Sequence, residues 1–321
     1  MKKNKKRADK SFHSRYILLS LKIALFAFLL ALFPGFKLYE YSISNDQYQP
    51  EEIKIAATPT PYPQNTRNIP APYLTAEGVY VLDLPSGTIL YQKNPDIRLS
   101  PASTTKIVTA LVAFDYFKLE DILTVNKIDP REASMGLRVG EKITFESLLY
   151  GLLVASANDA SLTIAENYPG GITKFIEAMN QKAATLSLIN TRFTNPMGFD
   201  DTNHYTTAKE LASLAKLALQ NKNIGKIVAT RSITVSDTSY TYFHELHNVN
   251  QLLGGIPGVA GIKTGFTENA EECLVTLVKR NNTAILVVLL KSQDRFGETA
   301  NLINWVFNNH TWVNGASSPV E

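Results

Sequence analysis

The sequence predicts an α/β chain of α+β order: an antiparallel sheet gathers strands from both chain ends, and a helical lobe is inserted between them. Three observations carry this. Strand-like apolar segments open and close the regular part of the chain, helix-period segments fill its middle, and strict β-α alternation is missing. The chain has 321 residues, 45% hydrophobic and 19% charged, enough to bury a sizeable core and too apolar for wholesale disorder.

In chain order, residues 78–84 and 88–93 flank a Pro85-Ser86-Gly87 turn and predict a β-hairpin. Helical periodicity follows over 104–117, 145–166, 172–186 and 206–220. Residues 258–267, 273–279 and 284–291 predict three strands with short turns, and a last helix is expected at about 297–307. No internal repeat is present.

The first seventy residues concern location. Residues 1–15 hold seven lysines and arginines against Asp9 alone, more than the whole chain's net +3, so the remainder is net acidic. That balance argues against nucleic-acid binding by the folded part, because such affinity rests on phosphate neutralisation. A basic cytoplasmic tail (1–15) is followed by an apolar stretch (16–36) broken only by Lys22. Twenty residues as a helix span about 30 Å, and the charge asymmetry puts the tail inside and the rest outside. A retained single-pass signal-anchor and a cleaved signal peptide both fit, but residues 31–37, bulky except at Ala31 and Gly35, offer no clear small-x-small cleavage site. Residues 37–72 contain six of the fifteen prolines and read as an extended linker. A catalytic domain is expected over 73–310, with a polar tail at 311–321.

Chemistry concentrates in three short motifs. A helix starting near Ser103 would put Ser103 and Lys106 on one face, at i and i+3. A serine hydroxyl becomes a nucleophile when a base takes its proton, and a lysine serves if desolvation lowers it by about 3 units, roughly 4 kcal/mol. The spacing alone says little, because Ser213 and Lys216 share it in the middle of an amphipathic helix. Ser156 and Asn158 interrupt an apolar helical stretch, which is costly unless they are satisfied or line a cavity. Lys263-Thr264-Gly265 sits in a strand whose glycines would let a ligand backbone approach closely. Neither Ser-x-Asn nor Lys-Thr-Gly recurs in the chain.

This ordered triple is similar to that of serine β-lactamases and penicillin-binding proteins. Residues 73–310 resemble the serine D-alanyl-D-alanine carboxypeptidases, the low-molecular-mass penicillin-binding proteins. The stretches 151–159, 193–198, 204–208, 248–253 and 261–267 also look like that family. The resemblance implies a β-lactamase/transpeptidase-like fold and hydrolysis of the terminal D-Ala-D-Ala bond of peptidoglycan stem peptides. β-Lactams would be covalent inhibitors, and no metal or other cofactor is called for. It makes Ser103 the acylated nucleophile and Lys106 its proton acceptor. Ser156 and Asn158 would relay protons and hold the substrate amide. Lys263 would add positive potential, and Thr264 would meet the terminal carboxylate. The oxyanion hole would use the amides of Ser103 and Phe266, typically about 3 kcal/mol per donor. Arg295 stands where the family often has an arginine, as either a carboxylate partner or a surface residue.

Departures from the pattern are small. Glu271 replaces a typical glycine after Ala270, so the turn there is expected to differ. The chain stops soon after the last helix, which moves the expected anchor to the N-terminus. His244-Glu245-Leu246-His247 imitates a zinc-protease motif, but with the second histidine one residue early, and reads as surface polar residues. Cys273 reads as core. A D,D-endopeptidase and a non-turnover β-lactam- or wall-binding module remain alternatives. A class A β-lactamase lacks its Glu-x-x-Leu-Asn element here.

Overall fold

The computed structural model describes residues 20–29, 60–128 and 133–314. The chain divides into two units, 1–57 and 58–321. In the first, residues 20–29 form a helix (α1) with Leu21, Ile23, Leu25, Phe26 and Phe28 exposed. No helix among the described residues is long and apolar enough to cross a membrane. The basic tail, the rest of the span expected over 16–36, and residues 37–59 of the linker lie outside the described residues.

The second unit is built on a five-stranded antiparallel sheet of order β3-β2-β10-β9-β8. Its strands are β2 (Gly78–Asp83), β3 (Ile89–Lys93), β8 (Val259–Thr267), β9 (Glu271–Arg280) and β10 (Thr283–Ser292). Strands from both chain ends therefore share one sheet, as expected. The alternation of β10 divides its side chains: Leu286, Val288 and Leu290 join the helical-lobe core, while Ile285, Val287 and Leu289 face the opposite core. That second core is closed by Leu302, Ile303 and Val306 of α8 (Arg295–Asn309). Burial on both faces explains why β10 reads as an unbroken apolar run.

The helical lobe contains α2 (Lys106–Phe114), α3 (Phe145–Leu153), α4 (Asn158–Asn167), α5 (Gly171–Thr185), α6 (Ala208–Ala218) and α7 (Lys222–Val228). Every residue of α2 from Lys106 to Ala113 is buried, so this helix is the axis of the lobe. A 3-10 turn, Ala102–Thr105, precedes it and lies against β8. Two differences from the sequence reading matter. The helix expected over 145–166 is broken at 154–157 into α3 and α4. The short pairs β4 (Ile122–Thr124) with β5 (Lys142–Thr144), and β6 (Ser232–Ser236) with β7 (Phe243–His247), are three to five residues long, too brief to leave a periodicity.

The domain also begins earlier and ends later than 73–310. β1 (Tyr62–Asn65), inside the expected linker, pairs antiparallel with β11 (His310–Val313), inside the expected tail. The prolines at 61 and 63 are compatible because this is an isolated two-stranded pair with open edges. Trp305 and Trp312 tie the pair down, donating to the carbonyl of Ile69 and the carboxylate of Asp83.

The N-terminal segment is stapled to α8 by Glu298, whose carboxylate accepts from the amides of Thr75 and Ala76 and from the Ser292 hydroxyl. Glu298→Ala leaves those donors without their acceptor and should cost about 2–4 kcal/mol. Chemical denaturation of the domain would show it as a lowered midpoint, and an unchanged midpoint would contradict the staple.

Candidate active site

Three of the predicted elements meet at one crevice, together with a fourth segment, 194–199. Ser103 lies half-buried in the 3-10 turn rather than within an α-helix. Lys106, the first residue of α2, is fully buried. Its Nζ lies 2.8 Å from Ser103 Oγ, 2.8 Å from Asn158 Oδ1 and 3.0 Å from the Met197 carbonyl oxygen. Burial pushes the amine down to about 7, with the Asp159 carboxylate opposing. A neutral amine has two N–H groups and one lone pair. Asn158 Oδ1 and the Met197 carbonyl can only accept, so they take the two hydrogens and leave the lone pair for the Ser103 hydroxyl.

Ser156 occupies the break between α3 and α4, with φ of +60°. A continuous helix would have turned Ser156 and Asn158 to nearly opposite sides, since residues two apart do not share a face. The left-handed residue brings both into the crevice. From β8, Lys263 Nζ donates to Ser156 Oγ at 2.7 Å and to the Thr264 carbonyl at 2.8 Å. Lys263 is 1% exposed, and its amine is driven well below the usual lysine range by burial, then by the charges of Lys106 and Arg295.

Among the described residues β8 pairs with β9 alone, and it also lies against the 3-10 turn. Gly265 makes the approach possible: a Cβ there would lie 3.0 Å from Ala102 Cβ, the Pro101 oxygen and Ser103 N. Thr264 is buried beside it, and Phe266 stands at the rim, 62% exposed. Arg295 is half-buried. Its Nη1 donates to the Gly265 carbonyl at 2.7 Å, which holds the guanidinium against the Lys-Thr-Gly strand.

Sequence reasoning missed Asp159 and the Met197 carbonyl. Asp159 is fully buried at the start of α4 and accepts from the Ser134 hydroxyl and the amides of Met135, Gly136 and Leu137. It holds a loop whose Ala133 carbonyl accepts from the Asn158 amide. A charged residue beside Ser-x-Asn in an apolar setting was its only sequence signal. A backbone carbonyl has none.

The reading of 244–247 as surface residues is wrong for His244. It is 6% exposed, with Nε2 2.7 Å from Glu141 Oε1 and Nδ1 2.9 Å from the Met135 carbonyl. Strand alternation in β7 buries His244 and exposes His247, so the two do not converge. Cys273 is core, its thiol pushed up to about 12 by burial. Glu271 adopts φ of +50°, the left-handed conformation that a glycine would hold with less strain.

A sequence profile described as D-alanyl-D-alanine carboxypeptidase matches residues 65–294. The chain is 34% identical over 245 residues to the D-alanyl-D-alanine carboxypeptidase DacF of Bacillus subtilis, covering 73% of this chain but only 63% of that one. It is 31% identical over 252 residues to a D-alanyl-D-alanine endopeptidase of Pseudomonas aeruginosa, covering 77% and 80%. The solved structure of the Streptomyces K15 DD-transpeptidase matches with a TM-score of 0.71 at 30% identity, over 75% of this chain and 100% of that one.

A base role for Lys106 requires its neutral amine, so on that role covalent modification of Ser103 should rise with pH through about 7. One unit below that value the rate should be about a tenth of its plateau. Initial rates of covalent adduct formation with benzylpenicillin, read by intact mass between pH 5.5 and 8.5, test this. A flat profile contradicts it.

Proposed function

The chain belongs to the D-alanyl-D-alanine carboxypeptidase family, and from that premise we propose that it releases the terminal D-alanine of peptidoglycan stem peptides through an acyl-enzyme on Ser103. The observation that carries this reading is the buried Lys106 amine in hydrogen-bond contact with the Ser103 hydroxyl. In the first step Lys106 Nζ takes the Ser103 proton as Oγ bonds to the penultimate carbonyl carbon. The Ser103 and Phe266 amides would receive the developing oxyanion. Collapse breaks the C–N bond, and the proton on Lys106, passed through Ser156, goes to the leaving D-alanine nitrogen. Water then adds to the ester carbon as Lys106 takes its proton; the bond from that carbon to Ser103 Oγ breaks, and Lys106 returns the proton to Oγ, releasing the shortened peptide as its acid and restoring the enzyme.

Charge supports the direction of binding. The substrate ends in a carboxylate, and the Arg295 guanidinium is bonded to the Gly265 carbonyl of the Lys-Thr-Gly strand. Thr264 and this cationic end would receive the carboxylate, while Asn158 would hold the substrate amide. β-Lactams, which present a similar carboxylate and a strained amide, would acylate the same serine.

We also propose that residues 16–36 hold the protein in the membrane with the catalytic domain outside. The support is the basic flank, the apolar composition and the helix over 20–29 with exposed Leu21, Phe26 and Phe28. Extraction from membranes by detergent but not by high salt would support the anchor; release by salt alone would remove it.

A second reading, cleavage of cross-links as an endopeptidase, is favoured by the similarity to the Pseudomonas endopeptidase. D-Alanine release from a pentapeptide should proceed with the wild type and fall at least about 1,000-fold in Ser103→Ala. Faster cleavage of a purified cross-linked muropeptide dimer than of the pentapeptide would replace the first reading with the second. Equal release by wild type and Ser103→Ala would end both.

A further inference from the structure

We propose that Asn195 is a positioning residue for the general base. It folds residues 195–199 into the turn that aims the Met197 carbonyl at Lys106. The inference rests on the acyl-transfer reading of Ser103 and Lys106.

Asn195 is half-buried and does not touch the reacting atoms. Its Oδ1 accepts from three consecutive amides, Met197 at 3.2 Å, Gly198 at 2.7 Å and Phe199 at 2.9 Å. Its Nδ2 donates to the Phe199 carbonyl at 3.1 Å. One side chain thus gathers the donors of the loop inward, which turns the carbonyls of Pro196 and Met197 outward. The Pro196 carbonyl accepts from Thr109 Oγ1 of α2 and Ser161 Oγ of α4, each at 2.7 Å, and so fixes the loop between the two helices that carry Lys106 and Asn158. The Met197 carbonyl is left 3.0 Å from Lys106 Nζ.

Two further contacts hold the loop against the nucleophile's own backbone. Gly198, at φ of +91°, lies so close to Ala102 that a Cβ would fall 1.9 Å from its carbonyl oxygen. His204 accepts the Thr194 amide on Nδ1, so Nε2 carries the ring hydrogen and donates to Thr105 Oγ1 at 2.8 Å. The loop therefore touches Ala102 and Lys106 directly and is linked to Thr105 through His204.

Chemistry gives the Met197 carbonyl its importance. A neutral lysine amine rotates freely about Cε–Nζ unless its hydrogens are claimed. Asn158 Oδ1 claims one. With only that bond, the lone pair would sweep a cone and face the Ser103 hydroxyl for part of the time. The second acceptor removes the remaining freedom, and its position depends on the three amides held by Asn195. The loop binds no part of the substrate in this scheme, so its loss should appear in turnover rather than in substrate affinity.

The test compares D-alanine release by the full chain and by Asn195→Ala and Asn195→Asp, with active sites counted by exhaustive penicillin labelling. In Asn195→Ala, kcat per labelled site should fall about 10- to 100-fold while KM stays within about threefold. Asn195→Asp keeps the acceptor oxygen and should recover most of that loss. Full kcat per site in Asn195→Ala overturns the assignment. So does a loss confined to KM or to the number of labelled sites, or an equal loss in the two variants. Absence of release from the wild type as well would instead fail the acyl-transfer reading, and this inference with it.

Discussion

A lysine amine must sit in a dry crevice, beside a serine, without a counter-ion that would keep it protonated. Lowering Lys106 from 10.5 to about 7 corresponds to roughly 5 kcal/mol of unfavourable burial, of the order of a small domain's whole stability. The unfolded chain binds more protons than the folded one between about pH 7 and 10.5. The penalty is therefore complete below that window and shrinks as pH rises through it. Asp159, the nearby carboxylate that pulls the other way, is itself occupied by three amides and a hydroxyl of the 134–137 loop. Its charge is spread over those donors instead of being spent in an ion pair.

The rest of the architecture offsets that cost and enforces the close approaches. Two apolar cores, one on each face of the five-stranded sheet, supply the burial. Some of the left-handed residues lie at the crevice: Ala102 and Ser156 have positive φ and flank or carry the motif serines, and Ala133, also at positive φ, accepts from the Asn158 amide. Gly198 and Gly265 both pack against Ala102, one on its carbonyl and one on its Cβ, so the nucleophile's turn is gripped from two sides by residues without side chains. Gly265 thus sets how closely the Ser103 turn approaches β8, and Gly198 how closely it approaches the 194–199 segment.

Much of this was legible in the sequence. Strand and helix periods gave the mixed fold, because each long element has one or two apolar faces and shows it. The three motifs gave the crevice, because rare polar groups in apolar settings need partners. Failures share a physical origin. The α3–α4 break turns on one left-handed serine, which periodicity over 145–166 cannot register. The β1–β11 pair joins segments nearly 250 residues apart, and each alone resembles a linker or a tail. His244 looked like a surface residue because nothing local indicates that Glu141 and the Met135 carbonyl wait for it across the chain. Arg295 was left between two readings; its bond to the Gly265 carbonyl is a backbone contact with no sequence trace.

The chain contains its own demonstration that spacing does not make a base. Ser213 and Lys216 repeat the Ser-x-x-Lys interval on α6, yet both are exposed, and Ser213 Oγ donates to the Lys209 carbonyl one turn back. What separates Lys106 from Lys216 is the removal of water and the arrival of carbonyl acceptors from two other segments, Asn158 and Met197. Local sequence can supply the pair, but only the tertiary fold can change the proton affinity of one member. The chemistry accordingly belongs to the convergence of segments around Lys106, and the motif marks only where that convergence must occur.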